Sequence, residues 1–84
     1  MTDILIVDDN PANLAIIEQT LEEEYNVTAV TSGMRALRFL ESNSADLILL
    51  DVEMPIMNGI QTLKKIREQP QLANTPVIFL TARK

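Results

Sequence analysis

Ile4-Leu5-Ile6-Val7-Asp8-Asp9 places a continuous apolar run directly before two acidic residues. Two later apolar runs have the same design, because Leu47-Ile48-Leu49-Leu50 precedes Asp51 and Val77-Ile78-Phe79-Leu80 precedes Thr81-Ala82. Uninterrupted apolar runs rich in β-branched residues are typical of strands buried on both faces of a parallel sheet. If these strands are neighbours, their polar ends meet at one edge of the sheet, which is where open α/β sheets bind ligands.

Helix-type patterns separate these runs and predict an alternating chain. Each pattern begins at a capping residue, in the order Asn10 (followed by Pro11), Ser32 and Asn58. Strands are predicted at 4–7, 27–30, 46–50 and 77–80. The buried helical positions are predicted to be Leu14, Ile17, Leu21 and Tyr25, then Met34, Leu37 and Leu40, then Ile60, Leu63 and Ile66. The order β-α-β-α-β-α-β, with right-handed crossovers, indicates an α/β, doubly wound, flavodoxin-like parallel sheet.

Composition narrows the function classes. The 84 residues predict a single small domain, and the chain contains neither cysteine nor histidine. Disulfides, thiolate sites and histidine-based catalysis are therefore excluded, and a reducing, cytoplasmic location is expected. The net charge of -5 argues against direct nucleic-acid binding. We expect no membrane association, because no apolar run approaches spanning length.

The acidic residues at the predicted sheet edge indicate a metal site. Taken singly, Asp8-Asp9 would be a solvated turn or capping device, Asp51 a strand terminator and Thr81 an ordinary end-of-strand threonine. Together, Asp8, Asp9 and Asp51 would repel one another unless a cation offset their charge. Mg²⁺ is the expected cofactor, because it binds a few carboxylates, keeps several waters and contacts phosphate oxygens.

The chain closely resembles the receiver domain of two-component response regulators, a family with a chemotaxis member of this fold. The matching segments occur in family order at 4–9, 46–51, 54–59 and 76–82. This resemblance implies that Asp51 is the phospho-acceptor and that Asp8 and Asp9 hold Mg²⁺ with it. It also implies strand order 2-1-3-4 and a signalling module that is not an enzyme in the usual sense.

The resemblance implies further roles one residue at a time. The backbone carbonyl of Glu53 would be a metal ligand, Thr81 would be the switch hydroxyl, and Ala82 would be the small residue beside it. Ala12 and Ile16, on the outer face of the first helix, would contact the phosphodonor. That donor would be a sensor histidine kinase or a phosphotransfer protein, and the output domain is left open.

The family pattern continues beyond this sequence, with a fifth strand, two more helices and a lysine that binds the phosphoryl group. The expectation is therefore that residues 1–84 form a C-terminally incomplete, or truncated, receiver domain with an open 77–80 strand. An alternative function follows, in which the chain is a dimerisation or scaffolding module with impaired phosphorylation, present as a homodimer or with a complementing chain. A phosphatase of the haloacid dehalogenase type is disfavoured, because Glu53 stands where that class has a second aspartate.

Overall fold

Four parallel strands form one sheet, and three α-helices connect them. The computed structural model describes residues 1–80. Its elements, in chain order, are β1 (Asp3–Val7), α1 (Pro11–Leu21), β2 (Asn26–Val30), α2 (Gly33–Ser42), β3 (Leu47–Asp51), α3 (Gly59–Arg67), a short 3-10 helix (Pro70–Leu72) and β4 (Val77–Leu80). The strand order is β2-β1-β3-β4, which confirms the predicted flavodoxin-like topology. None of the helices in this part of the chain is long and apolar enough to cross a membrane.

The register of the sheet brings the ends of β1 and β3 to the same height. Val7 lies beside Leu50 in the parallel pairing of β1 with β3, and Asp51 lies beside Leu80 in the pairing of β3 with β4. Strand β3 runs to Asp51, one residue further than predicted. The acidic residue is therefore held by the sheet itself.

The sheet separates two apolar layers. On one face, α1 packs through Leu14 against Ile4 and Ile6. The other face carries the larger cluster, whose buried members are Leu5, Val7, Ala36, Leu40, Ile48, Leu50, Met54, Ile66 and Leu72. Since β1 is covered on both sides, its residues 4–7 are all buried.

All three predicted helix caps are present. The side-chain oxygen of Asn10 accepts from the N–H of Ala12 (2.9 Å), and Oγ of Ser32 accepts from the N–H of Arg35 (3.1 Å). Asn58 and Gln61 form a reciprocal capping box at the start of α3. Each cap satisfies N–H groups that have no partner within the helix.

Two predicted core positions are wrong. Met34 is 60% exposed and Ile60 is 46% exposed, whereas Ala36 and Thr62 are fully buried in their places. The inward faces of α2 and α3 carry small residues because the two helices pack closely. A Cβ atom added to Gly33 would overlap the hydroxyl oxygen of Thr62. The other predicted positions of these helices are confirmed, since Leu40 and Ile66 are buried and Leu37 and Leu63 pack against the same cluster.

Three of the four positions predicted for the first helix lie on α1, and all four pack towards the sheet. Leu14 is buried, and Ile17, Leu21 and Tyr25 pack against its cluster as partly buried residues. Tyr25 lies beyond the end of the helix. The 77–80 strand, predicted to be open, is exposed in part, since Ile78 is 53% exposed while its neighbour Leu49 on β3 is partly buried.

Candidate functional site

Three carboxylates converge at the C-terminal ends of β1 and β3. Asp8 directly follows β1, and Asp51 is the last residue of β3. Each of Asp8, Asp9 and Asp51 offers a carboxylate oxygen, and these oxygens lie within 4.8 Å of one another. The structure thus brings together the three acidic residues that the sequence analysis assigned to one site.

Asp8 is fixed by the connection between β1 and α1. Its side chain is buried, and its Oδ1 accepts a hydrogen bond from the N–H of Asn10 (2.9 Å). Its own N–H donates to the carbonyl of Val30 (3.2 Å), which ties it to β2. Asn10 in turn caps α1, so the helix start and the carboxylate position are set by the same turn. Asp9 is exposed on the solvent side of the cluster.

Asp51 is held by the loop that follows it. Its side chain is only 8% exposed, and its Oδ1 accepts from the N–H of Glu53 (3.4 Å). The start of α3 then packs against the backbone that follows Asp51, because the N–H of Gly59 donates to the carbonyl of Val52 (2.8 Å). A Cβ atom at position 59 would overlap the carbonyl oxygen of Asp51, so this close approach requires glycine.

The same loop contains a feature that the sequence did not indicate. Ile56 has a φ of 71° and is 99% exposed, while the N–H of Met57 donates to the carbonyl of Pro55 across it (2.7 Å). This i to i+2 bond with positive φ marks a classic γ-turn, which is rare and strained. Met54 and Met57 on either side are buried and anchor the turn.

The electrostatics of the cluster disfavour an ionised Asp51. Burial raises the pKa of Asp51 above its ordinary 3.8, and the neighbouring charges of Asp8 and Asp9 raise it further. The N–H of Glu53 opposes these effects by stabilising the carboxylate. Backbone N–H groups hold both buried carboxylates, that of Asn10 at Asp8 and that of Glu53 at Asp51.

This donor set fits a magnesium ion. Carboxylate oxygens are the ligands that Mg²⁺ prefers, and a few of them suffice because the ion retains water. The raised pKa of Asp51 shows that the folded chain holds negative charge there at a cost. A divalent cation between the three carboxylates would remove that cost.

The structure describes some of the remaining predicted site residues and not others. Glu53 is exposed and follows Asp51 by two positions, so its backbone belongs to the site loop. Ala12 and Ile16 are exposed on the first two turns of α1, with Ile16 64% exposed. Thr81 and Ala82 lie outside the described residues.

Comparisons with known proteins identify the family. Residues 4–84 match the family model described as the response regulator receiver domain. The chain is 48% identical over 84 residues to the transcriptional regulatory protein CpxR of Escherichia coli, covering 99% of the chain and 34% of CpxR. It is 44% identical over 80 residues to a probable cyclic di-GMP phosphodiesterase of Vibrio cholerae, covering 95% of the chain and 18% of that protein.

A solved structure has the same fold and is described with a bound metal ion. The receiver domain of the sensor histidine kinase PA1611 from Pseudomonas aeruginosa superposes with a TM-score of 0.91 at 38% identity. That comparison covers 98% of this chain and 67% of the other, which is described with a magnesium ion coordinated in its active-site cleft.

The two curated relatives share only a segment with this chain and are named for different activities, so the common part is the receiver. The sequence match, the superposition and the strand order all lead to one assignment. This chain belongs to the family of response regulator receiver domains of two-component signalling.

Proposed function

We propose that Asp51 accepts a phosphoryl group from a phosphohistidine, with Mg²⁺ held by Asp8, Asp9 and Asp51 and by the backbone carbonyl of Glu53. The observation that carries the proposal is the convergence of three carboxylate oxygens within 4.8 Å at the ends of β1 and β3. The donor is a sensor histidine kinase or a phosphotransfer protein, and the reaction takes place in the cytoplasm.

The chain's own residues supply the nucleophile and its orientation. A carboxylate oxygen of Asp51 forms a bond to phosphorus while the bond from phosphorus to the histidine nitrogen breaks, and that bond's electron pair returns to the imidazole. The N–H of Glu53 engages Oδ1 of Asp51, which leaves the other oxygen to attack. A bound Mg²⁺ supplies positive charge against the phosphoryl oxygens and the carboxylates.

The donor contacts and the switch residues belong to the same proposal. Ala12 and Ile16 are exposed on α1, as a contact surface for the phosphodonor requires. Thr81 would engage the new phosphoryl group, and Ala82 would leave room beside it. Phosphorylation adds up to two negative charges and strong acceptor oxygens, which a nearby hydroxyl can bind.

The assembly of the chain remains a prediction. The scaffolding alternative required a site poor at phosphorylation, and the intact carboxylate cluster does not favour it. The homodimer or complementing chain expected at β4 would have to cover Ile78, the exposed residue of that strand.

Labelling with acetyl phosphate tests the chemistry without a cognate kinase. Incubation with Mg²⁺ should add one phosphoryl group, located on Asp51 by mass spectrometry of a digest. Asp51→Asn should abolish the label, and chelation of the metal should suppress it. A label that persists in Asp51→Asn, or one that does not depend on Mg²⁺, would show that the proposed site is wrong.

A further inference from the structure

The end of α1 concentrates negative charge. Glu22 is the residue that ends the helix, Glu23 and Glu24 follow it, and all three are exposed. The C-terminal end of a helix already carries partial negative charge, and basic residues are favoured there. The last turn of α1 contains none. The negative charges of this acidic end, residues 22–24, therefore add to the negative end of the helix dipole.

The start of α2 shows the opposite sign. Arg35 lies in its first turn, where the helix dipole is positive and acidic residues are favoured. Arg35 and Arg38 both line an open groove of about 690 Å³ between α2 and the end of β2. Met34 and Phe39 also line this arginine groove, and its lining contains no carboxylate.

Helix α3 shows that the chain follows the ordinary rule elsewhere. Its basic residues Lys64, Lys65 and Arg67 lie in its last turn, where they offset the helix dipole. At the acidic end and at the arginine groove, in contrast, charge and dipole add, as they also do at Glu41 in the last turn of α2. No lysine or arginine occurs in the sequence before Arg35, so the two signs are also segregated along the chain.

An exposed apolar residue lies in the arginine groove, where Met34 is 60% exposed. A contact between the acidic end and the arginine groove would cover this residue and pair the opposite charges. Helix α1 packs on the Ile4 and Ile6 face of the sheet, whereas α2 packs on the opposite face. The contact must therefore join two molecules.

We propose that the acidic end of α1 docks in the arginine groove of a second copy of this chain. The two surfaces differ, so the contact is head-to-tail, and the assembly keeps one free arginine groove at one end and one free acidic end at the other. The expected behaviour is weak, concentration-dependent association. Because the pairing charges are exposed, salt should oppose it.

Sedimentation velocity on two charge variants tests the geometry. The groove variant is Arg35→Gln with Arg38→Gln, and the acidic-end variant is Glu22→Gln with Glu23→Gln. Each variant alone should be monomeric, because each lacks one half of the contact. An equimolar mixture should form a 1:1 dimer and nothing larger, because only one productive pairing remains.

Controls separate this contact from a general charge effect. Lys64→Gln with Lys65→Gln removes the same charge as the groove variant and should leave association as in the wild type. The acidic-end variant reduces the electrostatic repulsion between copies of a chain whose net charge is -5. Non-specific association would therefore become stronger in this variant, whereas we expect the specific association to be lost. For the wild type, raising salt from about 0.05 M to about 0.5 M should weaken association about tenfold.

Several results would overturn the proposal. One is a wild type that stays monomeric over a wide dilution range at low salt. Another is a mixture of the two variants that stays monomeric. A third is a loss of association in the Lys64 and Lys65 control equal to that in the groove variant. Far-UV circular dichroism and thermal melts check that each variant is folded. A combined variant that exchanges the charges, Arg35→Glu and Arg38→Glu with Glu22→Arg and Glu23→Arg, should associate again.

Discussion

Replacing Asp51 by Asn should stabilise the metal-free fold near neutral pH. The substitution removes a buried negative charge beside that of Asp8, while the amide oxygen can still accept from the N–H of Glu53. Two charges at 4.8 Å, the largest separation within the cluster, repel by about 3 kcal/mol at an effective dielectric constant of about 20. Rearrangement and solvent lower the net effect of this repulsion, so we expect a gain of about 1 to 2 kcal/mol in the free energy of unfolding. For a domain of this size that is a rise in Tm of roughly 5 to 15 °C.

The pH dependence of the stability difference between Asp51→Asn and the wild type tests whether the charge of Asp51 is its cause. The pKa of Asp51 is raised in the folded state, so its ionisation destabilises the fold above the folded pKa and has no effect below the ordinary value of 3.8. The advantage of Asp51→Asn over the wild type should therefore be largest near neutral pH. It should shrink as the pH falls through the raised folded pKa and be absent below 3.8.

Thermal melts with a chelator, repeated from neutral to acidic pH, measure this difference. Glu53→Gln is the matched control, because it removes one exposed charge from the same loop and should shift stability by less than about 0.5 kcal/mol. Mg²⁺ should then favour the wild type, by about 1.4 kcal/mol at tenfold excess over its Kd. An Asn variant that is less stable without metal, or whose advantage persists at acidic pH, would refute the electrostatic reasoning.

Three further substitutions test the loops that position the site. Gly59→Ala should cost about 1 to 3 kcal/mol and reduce acetyl phosphate labelling, because its Cβ meets the backbone of Asp51; unchanged urea melts and labelling would contradict this contact. Gly33→Ala should destabilise alone and be partly rescued by Thr62→Ala, with a coupling of about 0.5 to 3 kcal/mol in a double-mutant cycle; additive effects would argue against the overlap. Arg67→Met should cost about 1 to 2 kcal/mol by urea melts, since its guanidinium donates to three carbonyls of the connection before β4; Arg67→Lys should lose less.

The fold could be predicted because its signal is repeated along the chain. Three uninterrupted apolar runs alternate with three capped helical patterns, and parallel strands that alternate with helices allow few topologies. The meeting of Asp8 and Asp51 follows from that topology, since residues after neighbouring parallel strands emerge at one edge. A pattern read along the sequence was therefore enough to bring together residues 43 positions apart.

The exposure of Met34 and Ile60, at the starts of α2 and α3, could not be predicted in the same way. Met34 and Ile60 are apolar and fit a helical stripe, but the buried faces carry Gly33 and Thr62. Close packing between two helices favours small side chains, and hydrophobicity scales contain no information about that preference. The contact between Gly33 and Thr62 depends on the distance between two helices, which no local pattern contains.

The departures from local rules gather where the chemistry is proposed. Asp8 and Asp51 are carboxylates buried without a side-chain cation among residues 1–80, and Ile56 is a β-branched residue in the left-handed region. Backbone strain of this kind costs about 1 to 3 kcal/mol and persists where surrounding contacts impose it. Buried Met54 and Met57 impose it here, and the same loop supplies the N–H that holds Asp51. Local conflicts are expected at functional sites because the rest of the fold can offset them. The free energy lost to charge repulsion at Asp51 is recovered when a cation binds, so the stability of this chain should depend on occupancy of its site.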